Sequence, residues 1–209
     1  MRLPRELDAI EVRILACLLE KERTTPDVYP MTVNALVGAC NQKSNRNPVM
    51  ELTAPEVETV LGRLRADVLV WPEDGARVRK WSHNLDSKWK LDAHAMALMT
   101  VLMLRGPQTP GELRSRTERM VGFTTSTEVE RVLGELAEGD EPLVVQLARR
   151  PGQKESRWIH LLAGEPGEET EVFIPPPRVA GSSDLQDRVD ALEARVARLE
   201  AALGERTDL

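Results

Sequence analysis

The 209-residue sequence predicts a mainly α fold with small β-hairpin wings, in which one unit of three helices and a hairpin occurs twice and a coiled-coil helix follows. Three observations predict it. Residues 56–64 read Glu-Val-Glu-Thr-Val-Leu-Gly-Arg-Leu and residues 128–136 read Glu-Val-Glu-Arg-Val-Leu-Gly-Glu-Leu, so the same helix is written twice. Each copy follows two other helical patterns and precedes two strand patterns joined by a turn. From Asp184 onward a heptad pattern takes over.

In the first unit, residues 1–90, Leu7, Ile10, Ile14, Cys17 and Leu18 mark an amphipathic helix ending near Glu22, and Thr24-Thr25-Pro26-Asp27 turns the chain. Val33, Leu36, Val37 and Cys40 mark a second helix, which the polar run Asn41 to Pro48 cannot continue. A capping box opens the third, with Thr53 as N-cap, Glu56 three residues on, and Val57, Val60, Leu61 and Leu64 turned inward. Val68 to Trp71 reads as a strand, Pro72 to Gly75 as a turn and Arg77 to His83 as the returning strand. Three helices and a β-hairpin in this order describe a winged helix.

The second unit, residues 91–163, repeats the order. A helix runs from Asp92 to Arg105, Thr109 and Glu112 cap the next, and Thr125 and Glu128 cap the duplicated one. Strands from Leu143 to Arg149 and from Ser156 to Leu162 turn through Arg150-Pro151-Gly152-Gln153, and Trp158-Ile159-His160 echoes Trp81-Ser82-His83. Because Met96 to Leu104 is apolar nearly all round, that helix should be enclosed on most sides, as packing against the first unit would achieve. The predicted architecture is therefore a tandem winged helix.

Residues 164–183 have the Pro, Gly and Glu content of a linker. In residues 184–209, Val189, Val196 and Leu203 fall at heptad position a and Leu185, Leu192 and Leu199 at d, a pattern that favours a parallel two-stranded coil and hence a homodimer. Arg188 and Arg195 at g precede Glu193 and Glu200 at e by the spacing of ion pairs between parallel partners. About three heptads is short for a coil, so a solitary amphipathic helix lying on its own chain is the alternative.

With aromatic residues at 3% and charged residues at 30%, the cores must be built from Leu, Val, Ile, Met and Ala. No apolar run has the length of a membrane span and no signal-peptide pattern opens the chain, so a cytoplasmic protein is expected. Cys17 and Cys40 match no metal or redox spacing and read as buried thiols of a reducing compartment. His83, His94 and His160 lie far apart, and there is no phosphate loop, zinc spacing or nucleophile elbow. The expectation is a non-enzymatic protein without catalytic residues, metal or cofactor.

DNA binding is the default use of a winged helix, with its third helix in the major groove and its wing on the backbone or minor groove. The duplicated helix tests that default. Its outward residues are Thr59, Gly62, Arg63 and Ala66 in the first copy but Arg131, Gly134, Glu135 and Glu138 in the second, and both copies open with glutamates that phosphates would repel. The basic candidates lie elsewhere, at Lys43 and Arg46 in the polar turn, Arg77, Arg79 and Lys80 in the first wing, and Arg149, Arg150, Lys154 and Arg157 in the second. Net charge is −6, yet residues 1–163 balance to zero and the last 46 hold the whole imbalance. Two functions stay open: a dimeric DNA-binding regulator contacting DNA through wings and turn, or a scaffold whose winged helices bind polypeptide. Gly62 and Gly134, each in mid-helix at a cost of about 1 kcal/mol relative to Ala, suit a close approach or simple inheritance from the duplication.

The run Asn41-Gln42-Lys43-Ser44-Asn45-Arg46-Asn47-Pro48-Val49-Met50 resembles the bacterial YceH-like family, and the likeness extends from Glu11 to Lys21 through Leu104 to Arg114 and on to Arg157 to Leu161. The resemblance implies a tandem winged-helix fold in a cytoplasmic bacterial protein, often with a coiled-coil tail, and no established activity. Asn47 stands where many relatives are expected to carry an acidic residue.

Overall fold

Asp8 sets the start of the first helix. Its carboxylate accepts from the Ile10 and Glu11 amides, and the Glu11 carboxylate accepts in return from the Asp8 amide. Helix α1 then runs over Ala9–Thr24 in this computed structural model, which describes residues 3–73, 78–149 and 155–165. A 3-10 turn at Pro26–Val28 leads into the two-residue strand β1, Met31–Thr32. Thr32 caps α2, Val33–Cys40, and the predicted capping box at Thr53 and Glu56 opens α3, Ala54–Ala66. Its inward face is the expected one: Val57, Val60, Leu61 and Leu64 are all buried.

Strands β2, Val70–Glu73, and β3, Lys80–His83, form an antiparallel sheet with β1 in the order β1-β3-β2. Pro72 and Glu73, expected in the turn, pair with Trp81 and Lys80 instead. The edge position of β2 explains why a proline, lacking an N–H, is tolerated there. Neither β1 nor the single-turn helix α4, Leu85–Trp89, is foreseen by the sequence pattern.

The second half repeats the order with α5, Ala93–Arg105, α6, Pro110–Thr117, α7, Ser126–Ala137, and the antiparallel pair β4, Val144–Gln146, and β5, Trp158–His160. Thr109 and Glu112 form the predicted capping box, whereas Glu128 reaches past Thr125 to the Thr124 amide. The correspondence extends to a feature below strand length. Met31 pairs with Trp81 one residue before the Thr32 cap, and Gln108 pairs with Trp158 one residue before the Thr109 cap.

Every residue of α5 from Ala95 to Leu104 is buried, and α5 packs most extensively against α1, as its all-round apolar face requires. A single continuous apolar core draws on α1, α2 and α3 as well as α5, α6 and α7. The described chain is thus mainly helical with small antiparallel sheets, and none of its described helices is long and apolar enough to cross a membrane.

Candidate nucleic-acid interface

The polar run after α2 is an internal clasp. Arg13, almost wholly buried on α1, donates to the carbonyls of Cys40 and Pro48 at 3.1 and 2.7 Å. Asn41 exchanges two hydrogen bonds with the backbone of Leu52, and the Asn47 amide donates to the Leu104 carbonyl of α5 at 2.9 Å. Arg46 differs from the expectation for a DNA contact. Its side chain is sealed from solvent, donates to the Ala39 and Asn45 carbonyls, and meets the Glu20 carboxylate at 2.6 Å. That pairing removes Arg46 from the surface cations, and only Lys43 of the two turn candidates is exposed. Although burial opposes it, the Arg46 guanidinium holds the Glu20 carboxyl below the usual carboxylate range. The cysteines are likewise interior: Cys17 and Cys40 are free and buried.

The outward side of α3 divides in two. Arg63 turns toward the start of α1, where it meets Asp8 at 2.7 Å and Glu11 at 3.5 Å, beside Arg5, which bridges Glu11 and Asp67. Glu58, Gly62 and Arg65, one turn apart on the neighbouring stripe, line a cavity of about 520 Å³ with Thr32, Asn34, Val78, Arg79 and Trp81. Arg65 and Arg79 are both exposed there. Sequence reasoning missed Arg65, although its spacing of three from Gly62 on the helix was a usable signal. A Cβ built on Gly62 or Gly134 would meet nothing within 4 Å, so neither glycine answers to close packing among the described residues.

Of the remaining cations, Arg149 is exposed at the end of the second hairpin, while Lys80 and Arg157 are half-buried. Arg77, Arg150 and Lys154, and the heptad residues Leu185, Val189, Leu192, Val196, Leu199 and Leu203, lie outside the described residues. In the second unit the stripe equivalent to 58, 62 and 65 is Glu130, Gly134 and Ala137, with no cation.

Each histidine has a structural place. His94 packs edge-on against Phe123, with ring centroids 4.9 Å apart. His83 lies beside Glu22 and Asp86, and the three could bring ligand atoms within 4.8 Å of one another. Its hydrogen bonds oppose a metal: Nδ1 accepts from the Leu85 amide at 3.2 Å, so Nε2 carries the proton and donates to Glu22 at 2.9 Å. A metal at Nε2 would need that proton on Nδ1, facing another N–H. At His160 the enclosed Nδ1 has no hydrogen-bond partner among the described residues, and burial lowers the imidazole pKa to about 4.

The family model described as "Protein of unknown function, DUF480" matches residues 7–153. The chain belongs to the DUF480 family. A UPF0502 protein of Geobacter sulfurreducens is 48% identical over 92% of the chain and 90% of its own length, and one of Chromobacterium violaceum is 46% identical over 94% and 88%. The UPF0502 protein YceH of Salmonella newport is 48% identical over 95% of the chain and 94% of its own length. The DUF480 match takes in the clasp at 41–48, both copies of the duplicated helix and the α3–hairpin cavity, and stops before the linker and heptads.

Proposed function

We propose that this DUF480 protein is a tandem winged-helix, DNA-binding regulator that is dimerised by residues 184–209 as a parallel coil. The observation that carries the reading is the α3–hairpin cavity of the first unit, where Arg65 and Arg79 stand exposed on a helix and a wing. Supporting it are the repeated order of helices and hairpin, the β1-β3-β2 pairing, and Lys43 exposed at the tip of a turn whose backbone is held from inside. Arg77, Lys80, Arg149, Arg150, Lys154 and Arg157 would add phosphate contacts from the wings. The second unit, whose equivalent stripe carries Ala137 in place of the Arg65 guanidinium, would position rather than read.

Fluorescence anisotropy with random duplex DNA over a salt series tests this. Binding should weaken by about tenfold or more for a modest rise in salt if several phosphates are neutralised, and Arg65→Glu with Arg79→Glu should abolish it. Absence of binding at low salt would overturn the reading.

A second reading, a scaffold that binds polypeptide without DNA, is favoured by one feature. Trp71 and Val78 of the first hairpin are 46% and 58% exposed, and Val78 lines the same cavity as the acidic Glu58. Captured partners lost on Trp71→Ala and Val78→Ser, with no DNA affinity, would decide for it.

A further inference from the structure

A second cavity, of about 800 Å³, opens where the clasp of the first unit meets the ends of α1, α5 and α6. It shares no lining residue with the α3–hairpin cavity. Its lining carries Lys21, Lys43, Arg105, Arg116 and Arg119 against the carboxylates of Glu20 and Glu118. The five cations outnumber those two carboxylates, of which Glu118 is exposed. Glu20 is already engaged by Arg46 from the interior at 2.6 Å and by Lys21 at 3.2 Å, and Arg116 turns to Glu112 at 3.3 Å. Lys43 and Arg119 are exposed and have no ion pair among the described residues, and Arg105 has only the side-chain oxygen of Asn45 as its partner.

Arg105 is held below the ordinary arginine value, first by partial burial and then by the like charges of Arg116 and Arg46. In a chain of net charge −6, Lys43, Arg105 and Arg119 thus converge on one concavity with no carboxylate in salt-bridge contact among the described residues, although Glu20 and Glu112 act on Arg105 from farther off and Glu118 shares the lining. Val101, Leu104 and Met120 line the same space with apolar surface. The site is built in advance of any ligand, because Arg13 and Arg46 fix the backbone that presents Lys43.

We propose that this cavity binds a small soluble ligand bearing two or more adjacent phosphate groups, with Lys43, Arg105 and Arg119 on the phosphates and its uncharged part over Val101, Leu104 and Met120. Planar guanidinium groups match phosphate oxygens in bidentate geometry, which favours phosphate over an isolated carboxylate. The volume is that of a small-molecule pocket, and a duplex, which presents its phosphates on a convex rod, would touch the rim without filling it. Because the walls come from both repeats, the ligand would tie the first unit to the second.

Isothermal titration calorimetry and thermal unfolding of the full chain test the proposal, using inorganic pyrophosphate and ATP without magnesium at low salt. The expected result is a dissociation constant below about 1 mM and a rise in Tm with ligand, both weakened about tenfold or more by Lys43→Glu combined with Arg119→Glu. Both substitutions are at exposed positions, and the unliganded Tm of the variant shows whether the fold is kept. Arg65→Glu with Arg79→Glu, which tests DNA binding by the other cavity, should leave pyrophosphate binding unchanged, so the two proposals fail separately. No heat or Tm shift with either ligand, or binding indifferent to Lys43→Glu and Arg119→Glu, would overturn it. Binding of a short duplex but not of pyrophosphate or ATP, lost on the same substitutions, would overturn it as well by assigning the cations to nucleic acid.

Discussion

Lys43 and Arg46 sit three residues apart in one polar run and have opposite fates. Between them Asn45 takes a left-handed conformation, φ 62°, and the chain turns so that Arg46 points at Glu20 while Lys43 stays in water. The sequence shows a cation in each place but nothing of the partner, because Glu20 belongs to another helix 26 residues earlier. Removing one member of such a buried pair strands the other, so Arg46→Ala should destabilise the protein by about 3–5 kcal/mol in urea unfolding, and Arg46→Met with Glu20→Met should recover part of the loss. Lys43→Ala should change stability by less than about 0.5 kcal/mol. His160 makes a different prediction. Its folded pKa of about 4 lies below the ordinary histidine value, so the folded and unfolded states are equally unprotonated above pH 7 and stability is complete there. As pH falls from about 6.5 to 4, the unfolded chain takes the proton first and up to about 3 kcal/mol is lost. Urea midpoints measured across that window should show this slope in the native chain and a flatter one in His160→Gln.

Elements with an internal period were legible, and those defined by distant pairing were not. α3 and α7 each carry a buried stripe, α1 and α5 a longer apolar run, and all four have a cap of their own, so the sequence contains what is needed to place them. β1 is two residues long and exists because Trp81 and Lys80, about fifty positions away, pair with it; no local pattern encodes that. α4 is a single turn ended by Lys90 in a left-handed conformation, too short for a period to show. The same limit applies to the candidate site. The helix pattern separates inward from outward residues, but only the packed structure shows that Arg63 is drawn to Asp8 while Arg65 faces the hairpin. The two duplicated glycines lend themselves to measurement at this scale. With open space around both, Gly62→Ala and Gly134→Ala should each stabilise the protein by about 0.5–1 kcal/mol, since alanine lowers the helix cost without a clash. A destabilisation in thermal melts would show that something outside the described residues already packs there.

At the scale of the molecule, charge and assembly are linked. Residues 1–163 are electrically balanced and the C-terminal stretch holds the excess acid, so along the sequence the part proposed to meet DNA is distinct from the part that would repel it. Two copies joined by the heptads would present two α3–hairpin faces at once, and avidity could then compensate for a weak single contact. In the proposed coil, Val and Leu at a and d would supply the attraction, while ion pairs at g and e would set register at about 0.5 kcal/mol or less each. Added salt should therefore leave the dimer intact while it weakens DNA binding. Light scattering separates the possibilities. The full chain should have twice its 23.4 kDa mass, whereas a chain ending at Gly164 and the full-length Leu192→Glu variant should both be monomers. The single substitution matters because it keeps every other residue in place. A full chain already monomeric, or an unchanged dimer after Leu192→Glu, would remove the parallel coil and leave the heptad residues as one amphipathic helix on their own chain.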